Sequence, residues 1–248
     1  MKNRLLGIDL FKGIAAYAVI MVHSGDETWG IPIKPEAEYF RLLFYFAVPF
    51  FLATSFYLMV NKAKNQISRK FWLSRIERIL IPYIIWTVAY ITLKLAVFPL
   101  TNQIEQIDSI LQDKLGIIFF GAASYHLYFL PLIFTGSLLI FLARELQNKR
   151  VSLKYMGLLL ILSLAAYQIL VWSGNSFRLG QNSAFSSLLQ FLEPDSISYV
   201  IARIFFVLLA WLIRCLPYLL AALIYVRMNL SQFYLNQNIN TFIIFLFF

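Results

Sequence analysis

The chain reads as an all-α, polytopic transmembrane bundle, and three observations carry that reading. Of its 248 residues 60% are hydrophobic and only 13% charged, about half the charged fraction of an ordinary water-soluble domain. Its mean hydropathy is +0.73, so lipid rather than a soluble core must solvate the apolar surface. The apolar stretches are long and do not alternate, which selects helices over a β-barrel, because backbone groups in lipid must be satisfied internally.

Taken in order, the stretches of spanning length are Leu5–Val22, Phe40–Val60, Ile79–Leu100, His126–Ala143, Tyr155–Trp172 and Ile204–Val226. A final run, Thr241–Phe248, reaches only about 12 Å as a helix and reads as a partial seventh span. No repeat, low-complexity tract or Pro/Gly-rich linker divides the chain, so residues 1–248 form a single membrane domain that stops within its last span. With the N-terminus cytoplasmic, the inner segments hold thirteen Lys and Arg residues and the outer ones only Lys34, Lys114 and Arg178. That asymmetry orients the bundle. It also accounts for the net charge of +9, leaving no reason to invoke nucleic acid.

The first span reads as a retained helix rather than a cleaved leader. Lys12 interrupts its apolar stretch, which ends in His23-Ser24-Gly25-Asp26 without an A-x-A-like cleavage site there. Cys215 is the sole cysteine, so no intramolecular disulfide can form. Two histidines a hundred residues apart with one cysteine make no metal-ligand pattern, and no bound cofactor is expected.

Polar residues inside the spans carry the functional signal, since each is costly in hydrocarbon. At 100° per residue Lys12 and His23 lie roughly 20° apart on the helical wheel, and Asp9 and His23 roughly 40°. His23 stands about 16 Å beyond Lys12 along the axis, towards the opposite membrane face. A neutral imidazole there suits proton transfer or transient acyl acceptance; a packing imidazole bonded to a neighbouring span is the alternative. Asp9 and Lys12, spaced i, i+3, can simply neutralise one another, with Lys12 snorkelling to the interface.

Arg75 and Arg78 project from one face of an interfacial helix running into the third span, where two guanidinium forks would clamp a phosphorylated ligand or anchor the helix to anionic lipid. Arg203 and Arg214, eleven residues apart, share a face of the sixth span. Arg214 faces the bundle interior or pairs with carbonyls freed by Pro217. His126 reads as an interfacial histidine, although topology places it on the same membrane side as His23, where the two can meet. The outer segments Thr101–Leu115 and Ser173–Tyr199 are the longest polar stretches and are placed to cover an outward-facing site.

Four pieces together resemble the acyltransferase-3 family of integral membrane acyltransferases, which includes sugar O-acetylases acting on cell-envelope polysaccharides. Ile8-Asp9-Leu10-Phe11-Lys12-Gly13 leading to His23-Ser24 resembles its opening helix. Val48-Pro49-Phe50-Phe51 through Ser55-Phe56-Tyr57 is similar to its second-span motif, with Phe56 where the family usually has glycine. Arg75-Ile76-Glu77-Arg78 before Pro82-Tyr83 resembles its Arg-x-x-Arg segment. His126-Leu127-Tyr128-Phe129-Leu130 resembles its aromatic fourth piece, with Tyr128 where tryptophan is commoner. These pieces cover about Arg4–Pro131, and the family typically has about ten spans.

The resemblance implies an acyl-CoA co-substrate, with acetyl the default group, bound on the cytoplasmic side by Arg75 and Arg78. It further implies a carbohydrate or glycolipid hydroxyl as acceptor beyond the outer side, His23 as the catalytic residue and a bacterial plasma-membrane location. Geometry agrees independently, setting two arginines at the inner end and an imidazole towards the other. Two other readings remain: a transporter or exporter using the same intramembrane charges as a substrate path, and a truncated, non-catalytic relative.

Overall fold

A computed structural model describes residues 6–23, 35–63, 68–101, 112–194 and 196–232. Thr241–Phe248, read above as a partial span, lie outside the described residues. Within them the chain is helical and carries no strand: α1 (Leu6–His23), α2 (Pro35–Leu42), α3 (Ala47–Ala63), α4 (Arg69–Arg75), α5 (Ile81–Leu100), α6 (Phe129–Gly136), α7 (Ile140–Asn148), α8 (Leu153–Trp172), α9 (Ser186–Leu189) and α10 (Ile197–Gln232). Six stretches are long and apolar enough to cross a membrane: Leu6–His23, Glu38–Asn61, Arg69–Leu100, Phe129–Asn148, Leu153–Trp172 and Ile197–Met228. Each coincides with a span expected from the sequence.

Proline placement breaks what the apolar pattern reads as continuous. The second span is split between α2 and α3 by a turn over 43–46, because Pro49 lacks the N–H that the Tyr45 carbonyl would receive in an unbroken helix. The third is joined through a π-helical turn, Ile76–Leu80, in which the Ile81 amide donates to the Ile76 carbonyl. Pro82 cannot donate to the Arg78 carbonyl, and the widened turn takes up its ring. The fourth begins only at Phe129, so His126 sits on irregular backbone ahead of a helix rather than at a helix end. Pro131, in the first turn of α6, needs no amide partner there.

The principal core is built around α10, with Leu52, Phe56 and Met59 of α3, Leu132 of α6, Ile140 of α7 and Met156 of α8 packed against Trp211, Cys215, Leu219 and Leu223. Gly136 lets α6 and α10 approach: a Cβ on it would stand 2.8 Å from Cys215 Sγ and 3.0 Å from Phe56 Cζ. The Phe56 phenyl group of α3 is thus buried against a glycine on α6, which permits the close approach of the helices there. The first helix docks separately on α3 through Ala15, Ala18, Ala47 and Phe50. Outward surfaces such as Ile84, Ile85, Trp86 and Val88 of α5 or Ile161, Leu162 and Leu164 of α8 are uncovered by protein, as a lipid-solvated bundle requires.

Polar ties close the two ends. At one, Arg227 donates to the Val151 and Arg150 carbonyls and to Met156 Sδ, pinning the α7–α8 turn to the end of α10. At the other, Arg203 of α10 pairs with Asp113 at 2.9 Å and donates to the Asn182 carbonyl. Asn182 in turn donates its side-chain amide to Asp113 at 2.7 Å. The two long polar segments flagged in the sequence are thereby clasped to each other and to α10.

Candidate functional site

Between Asp113 and α6 the chain enters the bundle and returns without completing a helix. A π-helical turn, Gly116–Phe120, ends at Gly121 in the left-handed conformation, φ 80°. A Cβ there would lie 2.3 Å from the Tyr128 amide nitrogen, so the returning strand of backbone packs directly on the glycine. Irregular backbone at such a position needs internal partners. Tyr83 of α5 supplies them: its buried hydroxyl donates to the Ile117 carbonyl at 2.7 Å, lies 3.1 Å from that of Ile118, and accepts from the Gly121 amide at 3.1 Å. Asp113 anchors the entry, taking the Gly116 amide at 2.9 Å. Burial works against its carboxylate, but the hydrogen bonds from Arg203, Gly116 and Asn182 outweigh that and hold its pKa below the usual value.

This segment carries His126 to His23. The two rings lie 5.8 Å apart between centroids, tilted by 54°. Tyr90 of α5 meets the His126 ring edge-on at 5.0 Å, and Ser124 Oγ is 3.3 Å from His126 Nδ1. Burial, then the charges of His23 and Lys94, hold the His126 pKa below its ordinary value. Three elements therefore converge on one imidazole pair: the end of α1, the middle of α5 and the re-entrant segment.

Of the other residues singled out on the first span, Lys12 is half-buried and Asp9 faces outward, while Ile8, Ala15 and Ala18 form the covered face. Arg75 precedes the π-turn and Arg78 lies within it. Arg75 is half-buried with its guanidinium over the Phe71 ring at 5.6 Å, Arg78 is outward, and the two charges are close enough to repel each other. They do not meet the histidines: Arg78 and Tyr90 are twelve residues apart on one helical rod, roughly 18 Å along its axis. Arg214 turns inward as expected from its face, beside the aromatic ring of Tyr128 at 5.9 Å and among the phenols of Tyr167 and Tyr218. Arg203, on the same face, is committed to Asp113.

Sequence reasoning passed over Tyr90, Lys94 and Ser124. A signal for the first two was present, because Tyr83, Thr87, Tyr90 and Lys94 recur at i, i+4, i+7 and i+11 on an otherwise apolar helix and thus share one face. Ser124 offered none, since its partner is set by a turn. Among the described residues no three His, Cys, Asp or Glu side chains are grouped as metal ligands.

No curated protein and no solved structure matches the chain. A family model, the acyltransferase domain of the acyltransferase-3 family, matches residues 5–248 and so runs well past Pro131, where the recognisable motifs end. Six membrane-spanning helices and a family match over essentially the full length together place the chain in the acyltransferase-3 family of membrane acyltransferases.

Proposed function

We propose that the protein transfers an acyl group, acetyl by default, from acyl-CoA to a hydroxyl of a cell-envelope carbohydrate, with its N-terminus in the cytoplasm of a bacterial cell and the acceptor beyond the other face. The observation that carries this reading is the separation of two chemically different sites along the rod of α4 and α5, from Arg75 and Arg78 to Tyr90 beside the histidines. A cation pair, Arg75 and Arg78, marks one end, and the imidazole pair His23 and His126 marks the other. Guanidinium forks suit the phosphates of CoA. An imidazole suits acyl transfer to a hydroxyl: the acyl carbon exchanges its bond to sulfur for one to oxygen, the sulfur leaves as thiolate, and the hydroxyl proton passes to a base. His23 fills that role either as the base or by first accepting the acyl group on a ring nitrogen. Lys12, half-buried, and Asp9, outward, lie on the same helix as His23.

A transport reading draws on the broken segment around Gly121, since interrupted helices line substrate paths in transporters. Two measurements separate the readings. In vesicles containing the purified protein, labelled acetyl-CoA is expected to lose its acetyl group to an added carbohydrate acceptor, and His23→Ala to abolish transfer while protein abundance is retained. Normal transfer by that variant removes His23 from the chemistry, and carbohydrate crossing with no acyl donor present favours transport.

A further inference from the structure

We propose that His126 is the second acid–base residue of the site, sharing one proton with His23 and taking up the proton that the acceptor hydroxyl releases. The inference rests on the acyltransfer reading for its chemistry, but on geometry for the pair itself. Only two histidines occur in 248 residues, 103 positions apart, and the fold brings their rings to 5.8 Å. His126 is carried there by backbone that must be anchored at Asp113, Tyr83 and Gly121, an arrangement with no purpose in a helix that merely ends at the interface. The groups that face it are His23 from α1, Tyr90 and Lys94 from α5, and Ser124 from its own turn.

The proton route follows from the partners. In the proposed tautomer His126 Nδ1–H donates to Ser124 Oγ, 3.3 Å away, which leaves Nε2 as an acceptor. When the acceptor oxygen bonds the acyl carbon, its proton moves to one ring nitrogen of His23. The proton on the other His23 nitrogen then passes to His126 Nε2, and His126 releases its Nδ1 proton by way of Ser124 and surrounding solvent. Lys94 and the neighbouring ring both oppose positive charge on His126, so the proton taken up is passed on rather than held. Tyr90, packed edge-on, and Ser124 are positioning residues that fix the ring plane and the tautomer.

The test uses the full chain in nanodiscs with isotope-labelled histidine, so that just two imidazoles are observed. In the wild type the pair is expected to titrate in two separated steps. In His23→Gln, His126 is expected to titrate in one step at higher pH, because a neighbouring positive charge has been removed. His126→Gln is expected to lower kcat by 10²–10⁴-fold, leave KM for acetyl-CoA unchanged and flatten the limb of the pH–rate profile that the pair produces. Ser124→Ala is expected to lose part of the rate and Ser124→Thr to restore it. A His126 titration that is the same with and without His23 overturns the proposal, as does wild-type kcat with an unaltered pH profile in His126→Gln. Coupled titration in a protein that transfers no acyl group to any hydroxyl sustains the proton-sharing pair and instead removes the acyltransfer reading.

Discussion

Replacing Arg203 with Met removes the ion pair and the carbonyl contacts that clasp the two polar segments to α10. The guanidinium pairs with Asp113 at 2.9 Å, donates twice to the Asn182 carbonyl at 3.0 and 3.1 Å, and stands over the Phe120 ring at 5.5 Å. The Arg203 and Asp113 side chains are 11% and 23% exposed. Breaking a fully buried pair by deleting one partner costs about 3–5 kcal/mol, most of it from the charge left behind. Here Asp113 keeps two donors, the Gly116 amide and the Asn182 side chain, and is partly wet, so the cost falls to roughly 2–3 kcal/mol, near the worth of one or two charge-assisted hydrogen bonds. Reversible unfolding in mixed detergent, followed by tryptophan fluorescence, measures it. The sign of the pH dependence is fixed by linkage. The Asp113 pKa is depressed in the folded state, so its contribution is fully present above the unfolded carboxylate pKa, about 3.9, and is lost as pH falls through the lower folded value. A double-mutant cycle with Asp113→Asn should return a coupling of at least about 1 kcal/mol at neutral pH. Coupling near zero, or a cost below about 0.5 kcal/mol, refutes the claim that this tie holds the re-entrant segment in place.

Arg75→Ala and Arg78→Ala are each expected to weaken acetyl-CoA binding, about tenfold or more if a charge-assisted phosphate contact worth roughly 1.5–3 kcal/mol is lost; calorimetric titration in nanodiscs checks this, and unchanged affinity returns the pair to lipid anchoring. Gly136→Ala is expected to destabilise the bundle by about 1–3 kcal/mol through overpacking against Cys215 and Phe56, with Cys215→Ala recovering part of the loss in the double variant, as read by thermal melting in detergent.

The six spans were legible because their signal is additive: eighteen or more apolar residues announce a membrane helix whatever their order. What happens inside a span is not additive. Pro49 and Pro82 interrupt the hydrogen-bond ladder in the second and third spans, yet one yields a turn over 43–46 and the other a π-turn, a choice set by neighbouring packing rather than by the proline. The fourth span shows the difference most clearly. Its apolar count runs back to His126, but the unpaired donors and acceptors of Ile117, Ile118 and Gly121 find a tyrosine hydroxyl more than thirty residues earlier, a partnership invisible to periodicity. The spacing put Arg203 on the face it shares with Arg214, whereas its partners Asp113 and Asn182 lie on loops whose meeting depends on tertiary structure. Topology alone allowed His23 and His126 to meet, and only the fold decides that they do.

In the proposed chemistry two histidines also resolve a difficulty that one leaves open. A single imidazole acting as base must hold a proton in a partly buried site already containing Lys94, and one acting as acyl acceptor cannot also activate the hydroxyl that relieves it. A neighbouring ring answers both. In the first case it drains the proton; in the second it stands free to serve as base while His23 carries the acyl group. The two rings are held by different parts of the protein: His126 through Asp113, Tyr83 and the core around α10, and His23 by a helix docked on α3 through alanines. Their separation therefore depends on how α1 seats against α3, and that seating, rather than either histidine alone, sets whether the pair works as one acid–base unit.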